Sequence, residues 1–364
     1  MLSASAEKLQ RIRSFLDTST SSGLVLMRQD NFAWLSTGGT NRVIIPAAEG
    51  AAALVITKDQ LYLVAHRMDG QRIMDEEMHN LPTAEHVPVH WDEGSVLSKA
   101  IEMAGKSPAA DVPCSAALRT EEIYDLHYPL FDCEIAVLEE AGRIADAVLS
   151  DVAHQLTPEH TEQDAARMLR DALLQRGAEC DVVLIGGEDR VFRYRHPTPT
   201  QAPIGRYVLI TPSIRYRGLH CNIARSLCFG SEVPAAVRKA YDAASTASAS
   251  SAALTQEGTS YRHIFEAYRQ VLDSCGFDGE WRNHFPGGRI GYMVCQPGFS
   301  LDPSRAIGKQ EAFEWFATVP GAKAAELIIK DGKTVYNASA AGHWPMRSVH
   351  IHGRDILMPE IMMR

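Results

Sequence analysis

Two stretches of this 364-residue chain concentrate the side chains that do chemistry. Residues 190–230 hold seven arginines (Arg190, Arg193, Arg195, Arg206, Arg215, Arg217 and Arg225) and no Asp, Glu or Lys. In a chain whose 45 acids outnumber its 36 Lys and Arg, that local reversal points to an electropositive concavity. Guanidinium forks in such a concavity grip carboxylate or phosphate bidentately. The competing reading puts the same arginines on solvated strand faces, paired with acids distant in sequence. Arg193, Arg195 and His196 sit together in RYRHPTPT, whose two prolines predict a rigid extended loop.

The second stretch is GEWRNHFPGGRIGYMVCQPG, residues 279–298. Gly287, Gly288 and Gly291 allow close backbone approach, and His284, Arg289, Tyr292 and Cys295 surround them with polar groups. Imidazole titrates near working pH, so His196 and His284 are expected to share general acid–base duty. Arg193, Arg195 and Arg289 would orient a substrate carboxylate, and Tyr292 would donate to a developing oxyanion. Cys295 becomes a nucleophile only where a neighbouring His or Arg lowers its pKa. The alternative for each histidine is a structural role, which is commoner for a lone His.

The elements that must hold these groups read as two domains. Residues 1–20 and 95–106 have helical spacing, 23–39 reads as a strand that breaks at Asp30-Asn31 and resumes, and 50–63 reads as a hairpin turning at Lys58-Asp59. A short strand over 113–117 and a short helix over 120–126 complete an α/β domain, residues 1–133. From Glu134, Ile135, Leu138, Ile144, Val148 and Val152 recur at helical spacing, and Thr161 to Asp164 opens the next helix with a capping box that Gly177 closes. Strands are expected at 180–187, 206–214, 221–229, 290–296, 312–319, 324–330 and 333–337, with helices at 234–254 and 260–274. This pattern predicts an α+β domain over 134–364.

Composition narrows the function classes. The 45% hydrophobic and 22% charged content is that of an ordinary soluble globular protein. A net charge of −9 argues against a general nucleic-acid binder. No apolar run reaches the roughly 18 residues of a membrane span. The opening MLSASAEKLQRIRSFL lacks the order of a signal peptide. Seven dispersed cysteines with no CxxC pair indicate reduced thiols, and a cytoplasmic location is expected.

The order VLI-T-x10-N-IARS (208–226), H-x-x-G-G-R-I-G-Y (284–292) and VPGAKAAE-LII-KDG (319–332) resembles the creatinase/aminopeptidase P, or pita-bread, family over essentially the whole chain. The resemblance implies an α/β N-terminal domain followed by a pita-bread domain. It also implies a homodimer, in which positions like Arg67 and Arg72 reach a neighbouring site. The family pattern holds two metal ions with two Asp, one His and two Glu. Carried across residue by residue, those ligands fall on Thr211, Asn222, Gly288, near Phe316 and on Ala325, so no family metal pair and no other cofactor is expected. The non-ligand histidines of the pattern fall on His196 and His284, and a third falls on Cys295, followed by Gln296. His220 and Cys221 flank the lost second Asp and are expected on the pocket floor with Asn222.

The segment also resembles a metal-free branch with RHP-x-P-T and E-W-R-x-H-x-x-G-G elements, here including Glu280, Trp281, Arg282 and His284. Within the family, creatinase works without metal through a His acid–base while neighbouring acids grip a cationic substrate. With those acids missing, a small anionic, amino-acid-derived substrate is the expectation, contacted also by Glu314 and Glu326. Hydrolysis of a C–N bond is the default reaction, with elimination, cyclisation and isomerisation open to the same acid–base pair. Two rival readings are an inactive homologue that binds peptides or proteins, and a metallopeptidase using displaced ligands such as Glu314 and Glu326.

Overall fold

Apolar strands at the N-terminal end build a mixed sheet. The structure, a computed structural model, describes residues 3–295 and 304–364, and the chain divides into two compact units, Met1–Phe131 and Asp132–Arg364. In the first unit, Glu49–Thr57 and Leu61–His66 form the hairpin that the sequence predicts, with Ile56 facing Leu61 across the Lys58-Asp59 turn. Gly23–Arg28 extends that sheet on one side, followed by Pro108–Ala110 and Ala117–Leu118, and Glu85–Val89 forms the other edge. Ala4–Ser19, Gln29–Ser36, Arg67–Glu77 and Val96–Met103 are helices packed on this sheet.

Two local expectations fail here; the short strand expected over 113–117 lies later, at Ala117–Leu118. The segment after Arg28 does not resume as a strand; Gln29–Ser36 is a helix with Phe32, Ala33, Trp34 and Leu35 all buried. Four consecutive buried apolar residues have no period-2 alternation, and a helix surrounded by protein satisfies them equally well.

The second unit opens with the helix Asp132–Gln155, whose stripe of Ile135, Leu138, Ile144, Val148 and Val152 is buried as its spacing predicts. Thr161 and Asp164 form the capping box of Glu162–Gln175, and Gly177 follows in the left-handed conformation (φ 70°). A first sheet runs Met362–Met363, Arg225–Cys228, Tyr207–Tyr216, Glu179–Gly187, with Leu219–Asn222 also paired to Tyr207–Tyr216. A second sheet runs Gly287–Arg289, Gln310–Val319, Ala322–Asp331, Thr334–Asn337. The helix Ala235–Ala253 packs against the second sheet through alanines and serines, and a core cluster that includes Tyr241, Phe313 and Trp315 surrounds it. The expected strand 221–229 is split at Ile223-Ala224, where the Ala224 N–H turns to the Ala325 carbonyl of the second sheet at 2.9 Å. The expected strand at 290–296 lies earlier, at Gly287–Arg289.

Candidate active site

His196 owes its position to a buried carboxylate. Glu162, in the first turn of its helix, accepts from Gly187 N (3.0 Å) and Arg190 Nε (2.8 Å) through Oε1. Its Oε2 accepts from Thr200 N (2.9 Å) and Thr200 Oγ1 (2.7 Å). One side chain therefore ties down the chain on both sides of RYRHPTPT, and Ile185 N adds a bond to the Pro197 carbonyl at 2.9 Å. His284 follows the short turn Glu280–Arg282 and precedes the strand Gly287–Arg289. Gly287 has φ 95°, and a Cβ there would collide with the Glu314 carbonyl oxygen, so only glycine lets this strand close against Gln310–Val319.

These two segments bring the imidazoles together. His196 Nε2 and His284 Nε2 lie 2.9 Å apart, with ring planes at 87°. His284 Nδ1 is 2.8 Å from the Phe285 carbonyl, which can only accept, so Nδ1 carries the proton and Nε2 of the neutral ring is a lone pair. His196 Nε2–H therefore donates to His284, leaving His196 Nδ1 as the basic atom of the pair. Burial pushes the His284 pKa down to about 4, with the Lys323 charge adding to it. Burial and Lys323 lower His196 as well.

Both rings line a cavity of about 270 Å³ with Asn222, Cys295, Glu314 and Lys323. Strand parity explains the lining. Phe316 pairs with Ala325 across two adjacent strands, so Glu314 and Lys323, two residues from each, share that face. Glu314 is buried and accepts from Asn222 Nδ2. Burial pushes its pKa up to about 8, against the pull of hydrogen bonds from Asn222 and Cys295. Lys323 is buried with its Nζ 4.9 Å from the Phe316 ring centroid, and burial pushes its pKa down to about 8. At neutral pH the cavity thus combines an ammonium, a protonated carboxyl and two uncharged imidazoles, a positive interior. Lys323 is the residue that sequence reasoning missed; its signal was its place two residues before Ala325 on one strand.

Of the eleven residues singled out from sequence, His196, His284, Asn222, Cys295 and Glu314 line this cavity. The other six are held elsewhere. Arg195 is ion-paired with Glu280, and Arg193 lies over the Tyr194 ring. Arg289 pairs with Glu311 at 2.5 Å, both buried. Tyr292 is buried and bonded to Glu134, so it is not an oxyanion donor in this cavity. His220 contacts the Gly291 carbonyl and Asp181, each at 3.0 Å. Glu326 points to the opposite face of its strand, where it meets Arg225 at 2.5 Å and Ser339 Oγ at 2.7 Å. Arg225 also reaches Asp146 at 3.2 Å, closing a fully buried triad. Cys295 faces the cavity, but burial and the adjoining Glu314 push its thiol up, the reverse of an activated nucleophile. Gln296 lies outside the described residues.

The arginine cluster therefore resolves into separate pairs: Arg190 with Glu162, Arg195 with Glu280, Arg215 with Glu179 and Asp181, and Arg225 with Asp146 and Glu326. Acids distant in sequence pair with four of its seven arginines, and the cation that faces the cavity is a lysine. Trp344, in the late loop, is buried with Nε1 donating to the Glu360 carbonyl at 2.8 Å.

The positions at which the family pattern puts metal ligands do surround this cavity. Thr211, Asn222, Phe316 and Ala325 line it, and Gly288 stands opposite Glu314. Among the described residues no group of three or more His, Cys, Asp and Glu side chains is arranged to hold a metal ion. A dinuclear centre needs carboxylate bridges between two cations, and a lone buried carboxyl beside an ammonium does not fit one.

The second unit, with this cavity lined by its two larger sheets, defines a pita-bread protein of the creatinase/aminopeptidase type. The model of metallopeptidase family M24 matches residues 136–337, more than half of the chain, and the protein belongs to that family. Its structure is similar to the prolidase from Pyrococcus horikoshii OT3, with TM-score 0.76 and 18% identity over 92% of this chain and 98% of the other. It is similar also to an Xaa-Pro dipeptidase from Bacillus anthracis, with TM-score 0.74 and 16% identity over 99% and 100%. The N-terminal domain of the FACT complex subunit SPT16 from Cicer arietinum has TM-score 0.69 and 11% identity over 94% and 97%. At these identities the likeness is one of fold. No curated protein matches the sequence significantly.

Proposed function

We propose that this protein is a metal-independent M24 enzyme that uses the His196–His284 pair for acid–base chemistry on a small, carboxylate-bearing, amino-acid-derived molecule. The observation that carries this reading is the 2.9 Å contact of two imidazoles at the wall of one cavity that also holds Lys323. His196 Nδ1 takes a proton from the attacking water or the substrate, and the shared Nε2 contact stabilises the cation that forms. Lys323 attracts the substrate carboxylate, and protonated Glu314, steadied by Asn222, donates a hydrogen bond to a developing anion. Breakage of a C–N bond is the default reaction, supported by the names of the similar structures, a prolidase and an Xaa-Pro dipeptidase.

A homodimer in a reducing, cytoplasmic compartment completes the proposal. All seven cysteines are free, which supports the compartment, and light scattering on the eluted protein tests the dimer. The whole reading is tested by a thermal-shift screen of small carboxylates on protein purified without chelator, with metal analysis of the same sample. Stabilisation by a carboxylate, lost in His196→Ala and His284→Ala, is the expected result. Two stoichiometric metal ions per chain, or variants that keep full activity on the substrate found, would sink it.

A second reading, a peptide- or protein-binding module, is favoured by a larger neighbouring groove and by the fold shared with the SPT16 domain. A screen in which no small molecule stabilises the protein favours that reading.

A further inference from the structure

A second cavity of about 740 Å³ adjoins the first, sharing only His284 and Phe285 with it. Its volume lies within the roughly 300–1,000 Å³ of small-molecule sites. The helix Tyr261–Ser274 supplies one wall: Arg262, Phe265, Glu266 and Arg269 recur at spacings of three and four, which puts them on one face. The turn Glu280–Arg282 supplies the facing wall through Trp281 and Arg282.

The floor is aromatic. Phe265 meets Trp281 edge-on with ring centroids 5.5 Å apart, and Phe285 presents its ring at 44% exposure. Around this floor stand three exposed guanidiniums, Arg262, Arg269 and Arg282. Arg282 lies over the Trp281 ring at 4.6 Å and Arg269 at 5.9 Å. Among the described residues no carboxylate is ion-paired with any of the three, although Glu266 lies one helical turn from both Arg262 and Arg269. The arginines of 190–230 behave differently, since four of them are in salt bridges. Three unpaired cations against one carboxylate, in a chain of net charge −9, make this groove a local attractor for anions.

We propose that this groove is a binding site for an aromatic carboxylate: the ring stacks on Trp281 and Phe285, and the carboxylate is gripped by Arg269 and Arg282. Stacking and charge are both required, because either one alone matches only half of the lining. The groove meets the His196–Lys323 cavity only at His284 and Phe285, and the inference holds whether or not that cavity performs catalysis.

The test is calorimetric titration of the full chain with N-acetyl-L-tryptophan, its uncharged amide and N-acetyl-L-alanine. The acid is expected to bind at least tenfold more tightly than either control, with an affinity that falls as salt rises. The double variant Arg269→Gln, Arg282→Gln alters only exposed side chains and should bring the acid down to the amide. His196→Ala, which lies in the small cavity alone, should leave the acid-to-amide ratio unchanged. No binding of the acid at millimolar concentration, equal affinity for acid and amide, or a ratio that survives the double substitution would overturn the proposal. So would loss of the ratio in His196→Ala, which would move the ligand into the small cavity.

Discussion

His196 Nε2 lies 2.9 Å from His284 Nε2 although 88 residues separate them in the chain. The Phe285 carbonyl holds the His284 proton on Nδ1, which fixes the direction of this contact. In histidine NMR titration, His284 is expected to titrate near about 4 and His196 below 6.5. A His284 that titrates at or above 6.5 would remove the neutral pair. Against the substrate found in the carboxylate screen, His196→Ala and His284→Ala should each lower kcat/KM roughly a hundred- to ten-thousand-fold.

Stability should depend on pH in a way set by two buried groups, Glu314 and His284. Glu314, ordinarily at 4.5, keeps its proton in the fold up to about 8, so the folded state binds more protons than the unfolded chain in that window. Stability therefore falls as pH rises through it. His284 acts in the opposite sense between about 4 and 6.5, where only the unfolded chain is protonated. The two slopes oppose each other up to 6.5, and between 6.5 and 8 Glu314 acts without it. Urea denaturation across that interval should show a loss of about 2 kcal/mol, from 1.36 kcal/mol per unit. Glu314→Gln should flatten this decline; an equal slope in the variant would refute the assignment.

Lys323 is expected to trade stability for binding. Its buried ammonium has no hydrogen-bond acceptor among the described side chains, and its pKa is pushed down to about 8. Lys323→Met keeps the volume and removes the desolvated charge, so it should stabilise the fold by about 1–2 kcal/mol in chemical denaturation. The same variant should lose thermal-shift response to small carboxylates. Retention of that response would remove Lys323 from the binding role.

The Asp146–Arg225–Glu326 triad is predicted to be structural. All three side chains are fully buried, and Arg225 also donates to the Ser339 carbonyl at 3.0 Å. Arg225→Ala strands two carboxylates and should cost about 3–5 kcal/mol, read as a shift in the denaturation midpoint. A variant of unchanged stability would contradict this role.

Much of the frame was legible in the sequence because its signals are local. The helical stripe after Glu134, the Thr161–Asp164 capping box and the Lys58-Asp59 hairpin all follow from residues within one or two turns of each other. The resemblance carried four of the five ligand positions to the lining of one cavity and the fifth, Gly288, to the strand beside it, because motif spacing on strands fixes which residues share a face. The arginines were misread for the opposite reason. Their partners Glu162, Glu280, Asp146 and Glu326 come from 28 to 101 residues away, and no local pattern encodes such pairings. The helix Gln29–Ser36 was misread because a short apolar run fits a strand and a buried helix equally.

The four hydrogen bonds of Glu162 have a further meaning for recognition. The loop that carries His196 has already given up its conformational freedom in the free protein. That entropy is lost once, when the chain folds, and not again each time a ligand arrives. A partner of this site meets a base already aimed, and its affinity is spared the cost of ordering a proline-containing segment.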